Sequence, residues 1–596
     1  MQNTGRDFCL LLIIILVVLI FRLDGTRLWD RDETRNARCA LEMIERDDWV
    51  VPTFNGELRA QKPVLLYWLM RCSYTVFGVN EFAARFPSAI LGVGTALATF
   101  LIGRRLFSPQ VGLLAGVILG TSTMFQIASR AATPDAALIF CSTAGLAVFV
   151  LTTFKSRNDS TFRVEPSPRN AGQYFCPSWL SAVAVYLVFG IGILAKGPVG
   201  LVLPTAVIGM FLLIVRLPTD PRKEKSNILL FRLKEKSIKL FRCFSPPHFI
   251  KTCHHMRLLT ATLIALVIAG PWFVLVGQRT DGEFLRSFFL DENFGRAMDA
   301  MEGHSGGPLF YLITVLVGFF PWSIFTVPMF VGAFYRVRRN DPWRIGYLFA
   351  LCWVGVYIVL FSFAATKLPS YVTPCYPALA LLCSCFLVHL AKRRTIIPAA
   401  WPFFCLAFMF IVGLVFLVAL PIVAYLFMPT DTWIGILGMI PLSGGYVCYR
   451  CLQSGEFKQF VLRFTGTAIL IFLTAVGLIL PAIDEHRHDL QIADLIDRID
   501  ERTPVVAYGH IDPSLIFYGN RPIPKCVHPG ALNTLLSQPN AILLTTDGRL
   551  RDIIGVLPSQ VRVLADVPRF FRQDKWVLVG QPTMTGKRPA KQSQRH

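Results

Sequence analysis

The chain is cut by short charged loops into about thirteen apolar runs of about 17 to 25 residues, the length a helix needs to cross the hydrocarbon core of a bilayer. Backbone in that core must satisfy its own hydrogen bonds, so open runs of this kind fold as helices. The runs fall at 8–23, 82–103, 110–128, 134–154, 178–195, 199–216, 258–277, 308–335, 345–364, 371–390, 399–420, 432–449 and 462–481. The predicted fold is therefore mainly α, a polytopic membrane helix bundle of about thirteen transmembrane helices. Only 16% of the 596 residues are charged and 54% are hydrophobic. A soluble domain of this size carries charge on about a quarter of its residues.

The formal charge of +21 points to topology rather than to nucleic acid. Basic residues crowd into short segments between the apolar runs and do not line one face of a folded domain. With the N-terminus in the cytoplasm, Arg104, Arg105, 155–177, 216–257, RVRR at 336–339 and Lys392 to Arg394 all lie on that side. This satisfies the positive-inside rule and offers the basic loops to anionic lipid headgroups. Residues 24–81, 279–306, the 366–370 turn and the C-terminal segment then lie outside the cytoplasm. No small-residue cleavage site follows the first run, Phe8 to Leu23, so it reads as a retained span of a bacterial-type inner membrane protein.

Residues 1–484 form the predicted membrane domain. Its first extracytoplasmic loop, 24–81, is rich in both signs of charge and contains PVLLYWLMRCSYTVFG from Pro63 to Gly78. That stretch reads as one or two interfacial juxtamembrane helices with Tyr67 and Trp68 at headgroup depth. After Pro481 the composition changes. HDLQIADLIDRIDER has helical spacing, and VVAY, AILLTT, VRVLADV and KWVLVG read as short strands. A small extracytoplasmic α/β domain is expected at 485–580 and a disordered tail at 581–596.

Many of the 15 cysteines lie within apolar runs, where they act as small hydrophobes. Cys448 with Cys451, and Cys243, His248, Cys253, His254 and His255, lack a second half at zinc spacing.

An ionisable side chain costs a few kcal/mol at the bilayer centre, and here the runs are nearly free of them. The acids and bases of interest collect at the extracytoplasmic ends: Asp32, Glu33 and Arg35, then Lys62, Asp135, Lys196, Arg296, His304, Lys367 and Tyr371. A carboxylate such as Asp32 just above the lipid surface can take a proton from an acceptor hydroxyl. Cations such as Lys62 and Arg296 suit a phosphate leaving group. Each residue also has a plainer reading. Asp32, Glu33 and Arg35 serve equally as solvated interface charges, Asp135 as an acid favoured in the first turn of a helix, Lys196 as a turn cap and His304 as a loop histidine.

The run DRDETRNARCALEMIER and its continuation to Gly92 resemble the opening of the lipid A aminoarabinose transferase family. Similarity continues in ATPDAAL at 132–138, AKGPVG at 195–200, FFLDENFGRAM at 288–298 and TKLPSYVTPCYPALALL at 366–382. That family stands with protein O-mannosyltransferases in the C-type, multi-span glycosyltransferase superfamily. The resemblance implies transfer of a monosaccharide from a polyprenyl-phosphate donor to a lipid A-like or other cell-envelope acceptor, with inversion and outside the cytoplasm. It implies catalytic roles for Asp32, Asp135 and Glu33. Donor phosphate or substrate binding falls on Lys62, Arg35, Arg296, Tyr371, Lys367 and Lys196.

Three departures matter. The family's Asp-Glu-x-Arg-Tyr ends in Asn36 here, and its Glu-Lys-Pro reads Gln61, Lys62 and Pro63. Asn293 replaces the histidine that often precedes the outer-loop arginine. The lost glutamate and histidine are associated with a metal in the aminoarabinose enzymes, so the resemblance implies no certain cofactor. Gln61, Asn293 and His304 are what remains of a divalent-metal set, and an amide oxygen is a weaker ligand than carboxylate or imidazole. The runner-up activity is protein O-mannosyl transfer. A transporter or flippase would show half-sequence repeats or mid-membrane charges, which the sequence lacks.

Overall fold

Apolar composition and helix-capping residues explain most of the architecture. The computed structural model describes residues 4–581 apart from 30, 155–177, 218–240, 296–305, 308, 340, 397, 399, 488–489, 501, 527, 539–540 and 571. Eight helices in it are long and apolar enough to cross a membrane, or up to ten if each of two bent pairs is one span. The molecule is a multi-pass membrane protein.

The difference from about thirteen spans has a local cause at each place. The helices over the first and sixth runs, Thr4–Ile20 and Val199–Val215, have 17 residues each. The run at 432–449 is shared between a 3-10 segment, Pro429–Gly438, and the helix Met439–Gln453. Two further runs are broken, Pro109–Gly120 with Thr123–Arg130 by 68° and Phe310–Gly318 with Trp322–Arg338 by 119°. The second break contains Pro321, which has no N–H to continue a ladder.

The two breaks meet and satisfy one another. Phe320 O accepts from the Thr123 N–H and from the Thr123 hydroxyl, both at 3.1 Å. The Trp322 indole donates to Thr121 Oγ1 at 3.0 Å. Irregular backbone is tolerated within an apolar bundle when protein groups take up the freed donors and acceptors in this way.

Helix starts follow their capping residues. Asn80 accepts from the Ala83 N–H ahead of Glu81–Leu106, and Ser108 accepts from the Val111 N–H ahead of Pro109–Gly120. The largest core lies among the central helices, where Tyr376–Ala391 is buried along most of its length.

Near the C-terminus a five-stranded sheet runs in the order Lys525–Cys526, Val505–Tyr508, Ile542–Thr546, Lys575–Gly580, Arg562–Pro568. The first three strands are parallel and the last two antiparallel. All four segments read as strands from the sequence overlap strands here. The segment between the first two parallel strands in the chain is tied to the first long loop of the bundle by part-buried polar contacts. Asn55 donates to Ile523 O at 2.9 Å and accepts from the Ile523 N–H at 2.7 Å. The Tyr518 hydroxyl accepts from the Leu28 N–H at 2.7 Å and donates to Glu81 at 3.0 Å.

Candidate active site

The first long loop folds as a helix, Arg31–Glu45, a two-stranded hairpin over Thr53–Phe54 and Glu57–Leu58, and a helix, Leu65–Phe77. Tyr67 is fully buried, and its hydroxyl accepts from Arg59 Nε at 3.0 Å. The buried Arg59 finds in that hydroxyl one of the acceptors that its burial requires.

Asp32 and Glu33 open the first of these helices but face different surroundings. The Asp32 side chain is half exposed and lies 3.9 Å from Arg35. Glu33 is buried and makes two 2.9 Å bonds with Arg85. Its carboxylate also accepts from the Trp29 N–H at 2.9 Å and the Ala132 N–H at 2.8 Å. Burial pushes the Glu33 carboxyl up, but the Arg85 charge and these hydrogen bonds outweigh it and hold the group below the ordinary carboxylate range. Glu33 is thus saturated by protein donors, a poor setting for a group that must exchange a proton.

Asp135 begins the helix Asp135–Thr153, directly after Pro134. Its carboxylate is ion-paired with Lys196, the last residue of Trp179–Lys196. Lys196 therefore reaches across to an acid and does more than cap its turn. The turn itself needs glycine. Gly197 has φ of +78°, and a Cβ there would lie 2.7 Å from the Phe288 ring. The Lys196 ammonium also sits 5.4 Å from the centre of the Tyr371 ring, within cation–π range.

Lys62, Lys196 and Tyr371 line one cavity of about 180 Å³ together with Gln61, Glu292, Asn293, Thr366 and the rings of Phe288 and Phe361. Phe288, Glu292 and Asn293 come from Ser287–Gly295, a π-helical segment. Wide turns of this kind recur at functional sites because they re-aim side chains. The Asn293 amide donates to Phe288 O at 2.6 Å. Lys367 does not line the cavity, and its ammonium donates to Gly306 O at 2.9 Å. Arg35 and Asp32 stand outside the lining too, on the helix that grips the turn before Asp135. Arg296 and His304 lie outside the described residues, as does the tail after residue 581.

The gathered residues are two cations, a phenol, two amides, a carboxylate and aromatic rings. A family model described as dolichyl-phosphate-mannose-protein mannosyltransferase matches residues 61–162, from Gln61 through Lys62 and Asp135. An undecaprenyl phosphate-alpha-4-amino-4-deoxy-L-arabinose arabinosyl transferase of Yersinia enterocolitica is 25% identical over 80% of this chain and 77% of its own length. This chain is related to the aminoarabinose and protein mannosyl transferases. An uncharacterized protein of Aquifex aeolicus is 26% identical over 87% of this chain and 88% of its own. The fold is shared with the crystal structure of ArnT from Cupriavidus metallidurans bound to undecaprenyl phosphate. That structure has a TM-score of 0.73 and 22% identity, and the match covers 98% of this chain and all of the other.

Sequence reasoning missed Arg85, Arg59 and Glu292. Arg85 carried a usable signal, since it is an arginine one turn into an apolar run, where an unpaired charge is costly. Glu292 carried none, because its direction is set by the π-helical turn.

Proposed function

We propose that the chain is an inverting glycosyltransferase. It moves a monosaccharide from a polyprenyl-phosphate donor to a hydroxyl or phosphate of a lipid or other cell-envelope acceptor. The observation that carries this reading is the convergence of Lys62, Lys196 and Tyr371 on one cavity, with Asp135 paired to Lys196. The named activity of the Yersinia relative supports it. The proposed topology is a bundle of about thirteen crossings with the N-terminus in the bacterial cytoplasm. The site and the C-terminal α/β domain, residues 485–580, then lie on the far side of the inner membrane. Helical segments at all of the apolar runs support that topology.

In the proposed reaction Asp32 takes the proton of the acceptor hydroxyl as its oxygen attacks the anomeric carbon. The carbon–oxygen bond to phosphate breaks on the opposite face, and the polyprenyl phosphate leaves with the bonding pair. Lys62, Lys196 and Tyr371 face the charge that grows on that phosphate. Arg35, Lys367 and Arg296 complete the binding set as supporting cations. Gln61, Glu292 and Asn293 offer donors and acceptors for the sugar hydroxyls. Glu33 acts by position, through Arg85 and Ala132. An ammonium–phosphate contact is worth about 1.5–3 kcal/mol, so Lys62→Met is expected to weaken binding of undecaprenyl phosphate by about ten- to a hundred-fold. Titration of the purified protein with that lipid measures it, and unchanged affinity would remove Lys62 from the phosphate site.

The donor set at the cavity does not fit a divalent cation. Gln61 and Asn293 are amides, Glu292 is the one carboxylate among the described lining residues, and two lysines stand beside them. Among the described residues no group of three or more His, Cys, Asp or Glu is arranged to hold a metal ion. Transfer is therefore expected to proceed at its full rate in excess EDTA. A ten-fold loss restored by added Mg²⁺, Mn²⁺ or Zn²⁺ would overturn this.

The deciding experiment uses nanodiscs carrying the purified protein, a labelled polyprenyl-phosphate sugar and bacterial envelope extract. Label entering lipid supports the first reading. Label entering serine or threonine of protein supports O-mannosyl-type transfer, the alternative that the match at residues 61–162 favours. Movement of intact donor across the bilayer without transfer would support a flippase instead.

A further inference from the structure

The peptide of Ala132, three residues before Asp135, is gripped by two side chains of the helix that carries Asp32. Glu33 accepts from its N–H at 2.8 Å, and the Asn36 amide donates to its carbonyl at 3.0 Å. Residues three apart lie on one helix face, so Glu33 and Asn36 form a two-pronged clamp. Each prong is itself fixed, Glu33 by Arg85 and Asn36 by Arg59, whose guanidinium donates to Asn36 Oδ1 at 3.0 Å.

That last bond settles the orientation of the Asn36 amide. A guanidinium has no acceptor, so the amide oxygen must face Arg59 and the amide nitrogen must face Ala132. Asn36 is only 1% exposed, so bulk solvent does not replace either contact. Between clamp and acid the chain is stiff. The Thr133 N–H donates to Ala131 O at 2.8 Å, and Pro134, with its ring-fixed φ of -70°, is the cap of the Asp135 helix. A shift at Ala132 therefore passes directly to Asp135 and its partner Lys196.

We infer that Asn36 is a positioning residue that fixes Asp135 and Lys196 relative to Asp32 by holding the Ala132 carbonyl. The inference rests on the transferase reading above. Asn36 is also the position where this chain departs from the Asp-Glu-x-Arg-Tyr pattern. Its action is on geometry in the reacting complex, and displacements of about 1 Å cost on the order of a hundred-fold in rate.

Three variants test it, with turnover, donor KM, undecaprenyl phosphate binding and thermal midpoint measured in nanodiscs. Asn36→Asp keeps the size and the acceptor for Arg59 but cannot donate to Ala132. Asn36→Leu removes both contacts, and Asn36→Ser leaves a hydroxyl too short to reach. The expected result is a kcat lower by about ten- to a hundred-fold. Donor KM should stay within about three-fold, with lipid binding retained. A variant that binds undecaprenyl phosphate normally and keeps kcat within two-fold of the unaltered protein overturns the inference, as does a raised KM at unchanged kcat. Loss of lipid binding in all three overturns it as well, since Asn36 would then be needed for the fold. If the unaltered protein transfers no sugar, the transferase reading fails first and takes the clamp with it.

Discussion

Asparagine in place of Asp32 is expected to slow sugar transfer by about a hundred- to ten-thousand-fold, the range over which a positioned general base contributes. The substitution keeps size and hydrogen-bonding shape but removes the group able to accept a proton. The Asp32 side chain is half exposed, with Arg35 3.9 Å away. Its loss should therefore cost the fold little, since exposed ion pairs contribute at most about 1 kcal/mol. Turnover should fall while the thermal midpoint and the affinity for undecaprenyl phosphate stay close to those of the unaltered protein. Asp135→Asn should behave differently, because Asp135 is paired with Lys196 at the cavity edge. There turnover and donor affinity should change together. A folded Asp32→Asn protein retaining a third or more of the original rate would show that the base is another residue.

Glu33 gives the largest expected effect on stability. Its ion pair with Arg85 is buried, with side-chain exposures of 4% and 7%. Removing one member leaves the other charge buried without its partner, which costs about 3–5 kcal/mol. Glu33→Gln should accordingly lower the thermal midpoint in detergent far more than Asp32→Asn does. The double variant Glu33→Met with Arg85→Met should recover much of the loss, because the stranded charge is gone. If Glu33→Gln melts with the unaltered protein, the pair does not bear on the fold as described.

The same carboxylate sets a pH dependence. Its folded value is held below the ordinary one, with Arg85 and the backbone donors outweighing burial. A depressed carboxylate lends its stability in full above the unfolded value of about 4.3 and loses it as pH falls through the folded value. The unaltered protein should therefore lose thermal stability below about pH 4.3, and Glu33→Gln should lose less of it over that window. Melting curves taken at decreasing pH measure the difference.

Sequence alone determined that the chain is a multi-pass membrane protein and where its apolar helices fall, because a bilayer imposes one length and one composition on whatever crosses it. The helix over each apolar run and the strands at VVAY, AILLTT, VRVLADV and KWVLVG follow from local periodicity. The order of Asp32, Lys62, Asp135, Lys196 and Tyr371 along the chain was legible in the same way. Tertiary structure decided which of them meet. Lys196 pairs with Asp135 from 61 residues away, and Arg85 reaches Glu33 across 52. No pattern along the chain encodes such pairings, since they depend on how separate helices pack. Packing also separated two adjacent acids that read alike in sequence, leaving Asp32 at the surface and sealing Glu33 inside. It turned Tyr67 inward onto Arg59, and it made Asn36, a mere mismatch in the motif, one prong of the clamp on Ala132.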